Sequence, residues 1–455
     1  MSIASGETGI PTSFTIVGAG LAGALLACYL GKANRRVEVF EKRADPRRGQ
    51  RDRGRSINLA ISERGRAALR EIGLEAEVLR SAIAMPGRMI HDRAGRLSFQ
   101  PYGKDPAQSI YSVSRNALNI ALLNAAEQHD TVRLNFDKRC TAADPDSGWI
   151  ELTDEQSGAT TSLMAACLIA ADGAFSVVRS QMQKRDRYDF QQQYLSHGYK
   201  ELTIPARPDG SHALVKNALH IWPRRSFMMI ALPNLDGTFT CTLFCPFEGP
   251  NSFAELTTPE AVSYFFEREF PDAVPLLPAL TKEFFDNPTG SLVTIRCRPW
   301  HIAGKTVLVG DAAHAVVPFF GQGMNAAFED CSVLMTCLEE SGWNPAVAFA
   351  RYEAQRKPNV DVLADLCIDN FVEMRDYVGS RAFLWKKKSE ILLSKLFPQW
   401  YVPLYTMVSF TRIPYAEARR RALRQDRIVR GMLFLVAVFI CLALGWIGFS
   451  CCYTQ

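Results

Sequence analysis

The segment that constrains the fold most lies near the N-terminus and reads SFTIVGAGLAGALLACYLGKANRRVEVFEKR. Residues 14–17 form a largely apolar run with β-branched side chains, which predicts a buried strand. Gly18, Gly20 and Gly23 follow as G-x-G-x-x-G at the start of an apolar helix. In this arrangement the first glycine permits a tight turn, the second lets a pyrophosphate approach the backbone, and the third allows close helix–strand packing. The helix N-terminus adds free N–H groups, so the segment predicts a dinucleotide-binding βαβ unit.

The second strand of this unit supports the same interpretation. Residues 37–40 form an apolar run that is followed by Glu41 and Lys42. A carboxylate at the end of this strand can accept hydrogen bonds from the ribose of an adenosine. The unit by itself leaves open whether the dinucleotide carries a nicotinamide or a flavin.

Two later segments repeat the pattern of a strand, a turn and a helix. The segment CLIAADGAFSVVRSQM ends its strand at Asp172 and continues into a helix. The segment KTVLVGDAAHAVVPFFGQGMNAAFED ends its strand just before Asp311, and a long helix is predicted to start near Gly323. Each turn alone is compatible with an ordinary strand end. Three such pieces in this order predict strands of one sheet.

Residues 186–290 have a different pattern. Short β-rich runs such as HGYKELTI, SFMMIALPN and GTFTCTLFCPF are separated by Pro, Asn and Asp-Gly turns, which predicts a mostly antiparallel sheet. Asp236 and Gly237 predict the hairpin that joins the last two runs. The segment TTPEAVSYFFEREFPD predicts a helix that begins at Thr258 and Pro259.

These patterns predict an α/β fold with a Rossmann-like dinucleotide-binding domain made of residues 10–185 and 291–370. An antiparallel β domain, residues 186–290, is inserted into it. A C-terminal helical region is predicted for residues 371–430.

The end of the chain is apolar. From Gly431 onward there is no charged residue, and residues 431–449 are almost entirely apolar. As a helix this run is about 28 Å long, close to the thickness of the hydrocarbon core of a bilayer. A buried core helix is the alternative, but the preceding arginines favour a single-pass transmembrane tail anchor at residues 431–450. Acylation of Cys451 or Cys452 stays open. The preceding arginines are Arg419, Arg420, Arg421, Arg424, Arg427 and Arg430.

Composition argues against two kinds of partner. The twelve cysteines are scattered, and the close pair Cys241 and Cys245 has no second pair or His cluster that would complete a zinc site. We therefore predict no bound metal and buried, reduced thiols. Much of the net charge of +5 comes from WKKKSE and ARRRALRQDRIVRG, which predicts a local basic surface and no nucleic-acid partner.

The glycine-rich turn, the central ADG and the run GDAAH…P…GQGMN resemble, in this order, the three FAD fingerprints of the class A flavoprotein aromatic hydroxylases. These are single-component flavin monooxygenases. Further segments, among them RGRSINLAIS, GRMIH, PYG, SVSRNALN, LHIWPR and LYTMVSFTRIPY, are similar to the branch of this family that acts on L-kynurenine. The similarity extends from about Thr12 to Tyr415.

The resemblance implies an activity and a location. FAD would be the cofactor, with NADPH and O₂ as co-substrates, and L-kynurenine would be hydroxylated to 3-hydroxy-L-kynurenine through a C4a-hydroperoxyflavin, in tryptophan degradation and NAD biosynthesis. No catalytic side chain is implied, because the flavin carries the chemistry. Eukaryotic members carry a C-terminal anchor in the mitochondrial outer membrane, which implies that location here, with the catalytic part facing the cytosol. Phe320 departs from bacterial members, which can carry His at this position.

The resemblance also implies which residues hold FAD. Asp311 would bind a ribityl hydroxyl, Arg115 would reach the phosphates or the ribityl chain, and Arg55 would lie beside the flavin. Residues 321–323 would present a helix N-terminus to the N1–C2=O edge of the ring. His314 is interpreted as fixing the loop after Asp311 through backbone hydrogen bonds. The expected FAD-binding residues are Gly18, Gly20, Leu21, Ala22, Gly23, Glu41, Lys42, Arg55, Arg115, Asp172, Asp311, Gly321, Gln322, Gly323, Met324 and Asn325.

For the substrate, the resemblance implies that residues 186–290 are the substrate domain and that residues 76–105 contribute to the pocket. It also implies that the pocket has a polar cluster and an apolar wall. Arg88 would bind the kynurenine carboxylate as a bidentate cation, and Tyr102 would donate to the same group. Asn370 and Tyr405 would complete the polar cluster, so the C-terminal helices would both close the site and lead to the anchor. The expected apolar wall is Ile221, Phe244, Pro318 and Phe319, for which ordinary core packing is the alternative.

Two other functions remain compatible with parts of the sequence. The tail would suit a membrane-bound flavin monooxygenase or reductase that acts on a lipid, although Arg88, Tyr102 and Asn370 make a polar pocket. A membrane-tethered FAD-binding scaffold without turnover is the second alternative. The NADPH-binding site, the oligomeric state and protein partners are not predicted.

Overall fold

The computed structural model describes residues 11, 13–49, 58–103, 105, 108–377, 389–390 and 392–453. Arg55, expected beside the flavin, lies outside these residues. The strands, in chain order, are β1 Ser13–Val17, β2 Arg36–Phe40, β3 Asn58–Ile61, β4 Ile83–Met85, β5 Gly87–His91, β6 Leu97–Pro101, β7 Ile110–Ser114, β8 Val132–Asn135, β9 Lys138–Asp144, β10 Trp149–Asp154, β11 Thr160–Met164, β12 Leu168–Ala170, β13 Asp189–Ile204, β14 Leu219–Pro223, β15 Met228–Pro233, β16 Phe239–Pro246, β17 Gly290–Arg298, β18 His301–Ile302 and β19 Thr306–Leu308.

The helices are α1 Leu21–Lys32, α2 Glu63–Glu71, α3 Glu75–Arg80, α4 Arg115–Glu127, α5 Val177–Met182, α6 Pro259–Glu269, α7 Leu280–Asp286, α8 Asp311–His314, α9 Gly323–Glu340, α10 Pro345–Val372, α11 Leu404–Phe410 and α12 Tyr415–Tyr453. A π-helical segment, Glu373–Tyr377, continues α10. Short 3₁₀ turns occur at Pro46–Arg48, Val274–Leu276 and Pro318–Phe320.

The first sheet has the strand order β18-β19-β12-β1-β2-β8, and its neighbours pair in parallel except β18 with β19. Its central strands are apolar and fully buried because helices cover both faces, as parallel sheets require. The three turns predicted from the sequence follow β1, β12 and β19, which lie side by side. The carboxyl ends of these strands therefore place Gly18, Asp172 and Asp311 along one edge of the sheet.

The second large sheet has the order β17-β13-β16-β15-β14-β5-β6. As predicted, the strands of residues 186–290 pair antiparallel with one another, and the turn at Asp236 and Gly237 joins β15 to β16. The sheet extends beyond those residues, because β17 joins one edge and the β5–β6 hairpin joins the other through a parallel contact with β14. The domain bounds stay a prediction.

The two faces of this sheet serve different cores. Side chains such as Ile90, Ile221 and Phe244 belong to the large core shared with the first sheet. Alternate side chains, such as Trp222 and Leu243, pack with residues of α6 and α7 in a second core. Period-two alternation therefore gives one face to the cleft between the sheets and the other to a helical cover. Thr258 caps α6 by accepting from the N–H of Ala261, as predicted.

Long helices complete the chain. α9 packs against α10, and α10 packs against α12, which runs on through the apolar C-terminal segment. Among the helices of the described residues, none combines the length and apolar character that crossing a bilayer requires. The nine cysteines from Cys28 to Cys367 are buried free thiols, which confirms the predicted burial for these nine.

Candidate active site

The three glycines of the first turn have different surroundings. Gly18 has a φ of +100°, and a Cβ there would lie 2.5 Å from the carbonyl oxygen of Ala171. A Cβ on Gly23 would lie 1.9 Å from the carbonyl oxygen of Gly18. A Cβ on Gly20 would meet no atom within 4 Å. Gly18 and Gly23 are thus needed by the turn itself, whereas the absence of a side chain at Gly20 leaves a cradle open in front of the α1 N-terminus.

Glu41 has a role within this turn. Its Oε2 accepts from the N–H of Ala19 at 2.9 Å, and its Oε1 accepts from Nε of Arg43 at 3.0 Å. The buried carboxylate therefore fixes the glycine-rich loop from the end of β2. Binding of the adenosine ribose by Glu41 stays a prediction, and the side chain of Lys42 is exposed.

Asp172 lies at the end of β12 and faces two ways. Its Oδ2 accepts from the N–H of Val177 at 2.8 Å at the start of α5. Its Oδ1 is buried and has no hydrogen-bond partner within the described part of the chain. Burial raises the pKa of this carboxyl. An orphaned acceptor of this kind fits a site that a hydroxyl-bearing ligand would complete.

Asp311 and Arg115 lie close enough for their charges to interact. The Asp311 side chain is accessible to solvent although protein atoms surround it on most sides, which places it in the floor of a cleft. Burial raises its pKa, while the charges of Arg115 and His314 oppose that rise. Arg115 is exposed at the first position of α4. The structure thus brings together two residues expected to hold the ribityl and phosphate part of FAD.

His314 is tied to a buried ion-pair network. Its Nε2 hydrogen-bonds to Oδ2 of Asp330, which also accepts from the N–H of Gly310 at 3.2 Å. Nε of Arg356 donates to the other oxygen, Oδ1, at 2.7 Å. The expectation that His314 fixes the loop through hydrogen bonds to the backbone is thus wrong about the bonding partner. The His314 side chain bonds instead to the buried carboxylate of Asp330 in α9. Burial alone would raise the pKa of Asp330, but His314 and Arg356 outweigh it and lower the pKa.

The start of α9 presents backbone rather than side chains to the cleft. Oε1 of Gln322 accepts from the hydroxyl of Tyr415 at 3.2 Å and from Oγ of Ser62 at 3.3 Å. Nδ2 of Asn325 donates to the carbonyls of Ala60 and Gly321, each at 2.8 Å. The amides of Gln322 and Asn325 are therefore used inside the protein. The side chain of the N-cap residue Gln322 makes no capping hydrogen bond among the described residues, which leaves N–H groups at the start of α9 to face the flavin.

Arg88, Tyr102 and Tyr405 form one cluster. The rings of Tyr102 and Tyr405 stack with centroids 4.8 Å apart. The Arg88 guanidinium carbon lies 4.8 Å from the Tyr405 ring centroid and 5.4 Å from that of Tyr102. Arg88 is buried, and its Nε has no hydrogen-bond partner in the described residues. The Tyr102 hydroxyl is buried and lies near Arg88 and Tyr405, but no well-oriented hydrogen bond engages it within the same residues.

Asn370 joins the polar cluster to the aromatic wall. Its Nδ2 donates to the carbonyl oxygen of Phe319 at 2.6 Å, which leaves Oδ1 as an acceptor. The ring of Phe319 stacks on Phe371 at 4.2 Å and meets Phe244 at 4.9 Å. Ile221 is fully buried in the same core. The expected wall residues Phe319, Phe244 and Ile221 are thus brought together, whereas the adjoining Pro318 is exposed.

Two residues that contact this site, Phe371 and Tyr415, were not predicted from the sequence. Phe371 stacks on Phe319, and its position directly after Asn370 was the available signal. Tyr415 holds Gln322 through its hydroxyl, with the Arg64 guanidinium carbon 4.0 Å from its ring centroid. Only its place at the end of the segment LYTMVSFTRIPY marked Tyr415 in the sequence.

Comparisons with known proteins agree with this geometry. The family described as FAD binding domain matches residues 11–366. A solved structure of 2-methyl-3-hydroxypyridine-5-carboxylic acid oxygenase superposes with a TM-score of 0.67 at 22% identity, covering 83% of this chain and 96% of its own. That likeness shows the fold. The glycine cradle, the Asp172 acceptor, the Asp311–Arg115 pair and the family match together define an FAD-dependent monooxygenase.

Curated relatives narrow the class. The kynurenine 3-monooxygenase of Myxococcus xanthus is 49% identical over 416 residues, which cover 91% of this chain and 89% of the relative. That of Dictyostelium discoideum is 46% identical over 431 residues, covering 92% of each. The chain belongs to the kynurenine 3-monooxygenase family.

Proposed function

We propose that this chain hydroxylates L-kynurenine to 3-hydroxy-L-kynurenine with NADPH and O₂. The observation that carries the proposal is the state of Arg88. It is a buried guanidinium that forms no ion pair among the described residues, flanked by Tyr102 and Tyr405. The charge of Glu373 acts on Arg88 and helps to keep it protonated, but no direct ion pair within the described residues satisfies the guanidinium. A buried cation of this kind favours a ligand that supplies an anion. The α-carboxylate of kynurenine has the charge and the planar shape for that role.

The rest of the cleft fits the other parts of the substrate. Oδ1 of Asn370 is an acceptor, and none of the hydrogen bonds found among the described residues uses it, so it can accept from the substrate ammonium group. The rings of Phe319 and Phe244 offer an apolar surface for the aromatic ring and exclude water from it. FAD, when bound, would accept electrons from NADPH and use them to activate O₂. The side chains of this chain orient the substrate and keep the site dry.

The same proposal includes a location. The apolar part of α12 exposes large side chains, and a tail anchor in the mitochondrial outer membrane would cover them, with the catalytic part facing the cytosol. The arginines that precede this part would remain at the membrane surface on that side. The exposed side chains include Phe434, Leu435, Phe439, Leu442 and Trp446, each between 67% and 73% exposed.

A titration of NADPH oxidation tests the proposal. The purified yellow protein is mixed with NADPH, and bleaching of the flavin is followed with and without L-kynurenine. Kynurenine-stimulated reduction, with 3-hydroxy-L-kynurenine as product, is the expected result. Stimulation only by a lipid would replace the proposal with a lipid-directed flavin enzyme. No reduction under any condition would leave a non-catalytic FAD-binding scaffold.

A further inference from the structure

A chain of hydrogen bonds crosses the second sheet on the face away from the cleft. Nδ1 of His91 bonds to Oδ2 of Asp272 at 2.7 Å, and Nε2 of His91 bonds to Nδ1 of His220 at 2.8 Å. Nε2 of His220 bonds to the carbonyl oxygen of Val215 at 2.9 Å. Both histidines are buried, and the His91 ring stacks on Trp222 at 3.9 Å.

The hydrogen-bond partners of His91 and His220 determine which of their ring nitrogens carry a hydrogen. A carbonyl oxygen only accepts, so Nε2 of His220 carries a hydrogen and its Nδ1 is an acceptor. Nε2 of His91 must then donate to it. Burial opposes ionisation of Asp272, but His91 and Trp222 lower the pKa of its carboxyl, so it is a carboxylate that accepts from Nδ1 of His91. His91 therefore donates from both nitrogens, which makes it an imidazolium beside a neutral His220.

Neutrality of His220 agrees with its surroundings. Burial, with a smaller contribution from the charge of His91, lowers the pKa of His220 to about 4. If His91 lost one proton, it could not donate to both Asp272 and His220. One link of the chain would then bring two acceptors together, and that link would break.

These hydrogen bonds lie at the junction where the β5–β6 hairpin meets β14 of the large sheet. Within the described residues, the strand pairing that joins the β5–β6 hairpin to the rest of the large sheet is the parallel contact of β5 with β14. His91 ends β5 and His220 lies in β14, so their bond adds a side-chain link across this pairing. Arg88 lies on β5 and Tyr102 directly follows β6, whereas Ile221 lies on β14 and Phe244 lies further along the sheet.

We propose that His91, held between Asp272 and His220, is a positioning residue that docks the β5–β6 hairpin and thereby sets Arg88 and Tyr102 against the apolar wall of the substrate site. The inference rests on the proposed function, because it assigns the carboxylate of the substrate to Arg88. Arg88 and His91 lie on opposite faces of β5, so His91 acts without touching the substrate.

Other charged groups surround the chain and are themselves paired. Arg224, just after β14, donates from Nη1 to the carbonyl oxygen of His91 at 3.1 Å and from Nε to the carbonyl oxygen of Glu269. The Glu269 carboxylate of α6 bonds to Arg93 at 2.9 Å. Another charged neighbour, Asp92, bonds through its carboxylate to Arg96 at 2.7 Å.

Asp272→Asn is the informative substitution. The amide oxygen can still accept from Trp222 and His91, but the negative charge that holds the imidazolium is gone. The FAD-loaded full-length protein is compared with this variant for kcat and for the dissociation constant of L-kynurenine, measured by calorimetry at neutral pH. His212→Gln serves as the matched control, because His212 bonds to the carbonyl oxygen of Asn234 and takes no part in the hydrogen bonds of His91.

We expect Asp272→Asn to bind kynurenine about fivefold more weakly than the wild type, which corresponds to the loss of about one hydrogen bond. Its kcat at saturating kynurenine should be little changed, because the flavin chemistry itself is not touched. His212→Gln should keep the wild-type affinity and kcat.

Nitrogen NMR of the wild-type imidazoles gives a readout that does not depend on the variant's folding. Two protonated nitrogens on His91 at neutral pH support the inference, and a neutral ring overturns it. An Asp272→Asn variant that folds and binds kynurenine with the wild-type affinity also overturns it. Wild-type protein that neither binds nor hydroxylates kynurenine would refute the proposed function instead, which is a distinguishable result.

Discussion

His314 illustrates how a residue can mislead when only its neighbours in sequence are known. In GDAAH the spacing of Asp311 and His314 is compatible with a proton-transfer pair. In the fold the His314 side chain bonds to Asp330 of α9, whereas Asp311 faces the cleft and Arg115. The two residues thus have different surroundings, because Asp311 lies in the cleft where it is expected to bind FAD and His314 belongs to a buried ion-pair network.

We predict that His314→Ala lowers the stability of the protein without abolishing its chemistry. Removing the imidazole leaves the buried Asp330 carboxylate with fewer partners, so the free energy of unfolding should fall by about 3 kcal/mol. A catalytic base would instead cost about 100-fold or more in kcat. Denaturant unfolding and kcat of the folded, FAD-loaded fraction separate the two. A fall in kcat of that size would contradict the structural role.

Arg88 is predicted to contribute to binding and little to folding. Arg88→Ala should weaken L-kynurenine binding by about 2 kcal/mol or more, because the substrate carboxylate would lose a charged, hydrogen-bonded partner. Arg88→Lys, the matched control, keeps the charge but loses the planar fork and should recover only part of the affinity. Calorimetric titration of the FAD-loaded proteins measures this. A normal dissociation constant in Arg88→Ala would discard the assignment.

At the scale of elements, the sequence patterns correctly predicted the strands, turns and helix starts that depend on neighbouring residues. The strand–glycine turn–helix unit, the two later strand–turn pieces, the Asp236–Gly237 hairpin and the cap at Thr258 all depend on residues within a few positions of one another. Each was predicted and is found. The turns then meet at one edge because parallel strands share a direction.

Long-range pairing was not predictable in the same way. The contact of β5 with β14 joins residues about 130 positions apart, and neither strand carries a local signal that names its partner. The same holds for Tyr415 and Gln322, whose hydrogen bond spans 93 positions. The resemblance supplied the expected site residues, but the geometry that relates them comes from these distant contacts.

The glycine turn gives a paired prediction at this scale. Gly20→Ala should fold normally, because Gly20 has a φ of −66° and no atom lies within 4 Å of the added methyl group. The methyl group would occupy the cradle and weaken FAD binding by about 2 kcal/mol, since backbone N–H groups would lose contact with the pyrophosphate. Release of FAD, followed by flavin fluorescence, measures this.

Gly23→Ala is the contrasting variant of the same turn. Its methyl group would lie 1.9 Å from the carbonyl oxygen of Gly18, so α1 must move away from β1. We expect its free energy of unfolding to fall by about 2 kcal/mol, as in other overpacked sites. Equal effects of the two variants on FAD binding and on stability would show that Gly20 serves the turn rather than the cofactor.

At the scale of the whole molecule, one helix connects the site to the end of the chain. Tyr415, the first residue of α12, bonds to Gln322 at the start of α9, and Arg419, one turn further on, bonds to Asp365 of α10 at 2.8 Å. The same helix continues to Tyr453. Tyr405 precedes it on α11 and faces Arg88. The apolar segment proposed as an anchor is thus continuous with two contacts near the site. Tyr415 contacts the start of α9, and Tyr405 contacts Arg88.

This continuity sharpens the hypothesis that membrane attachment and closure of the site are mechanically linked. A chain that ends at Arg430 keeps Tyr415 and should appear in the soluble fraction, whereas the full chain should sediment with membranes. If the tail helps to hold α12 in place, kcat/KM for L-kynurenine in detergent should fall by about fivefold, the equivalent of about one hydrogen bond at the Tyr415–Gln322 contact. Tyr415→Phe in the full chain is the matched control, because it removes that bond and keeps the tail. If kcat/KM is unchanged in the shortened chain but falls in Tyr415→Phe, the anchor and the site are not mechanically linked. The Tyr415–Gln322 hydrogen bond would then hold the start of α9 in place without help from the tail.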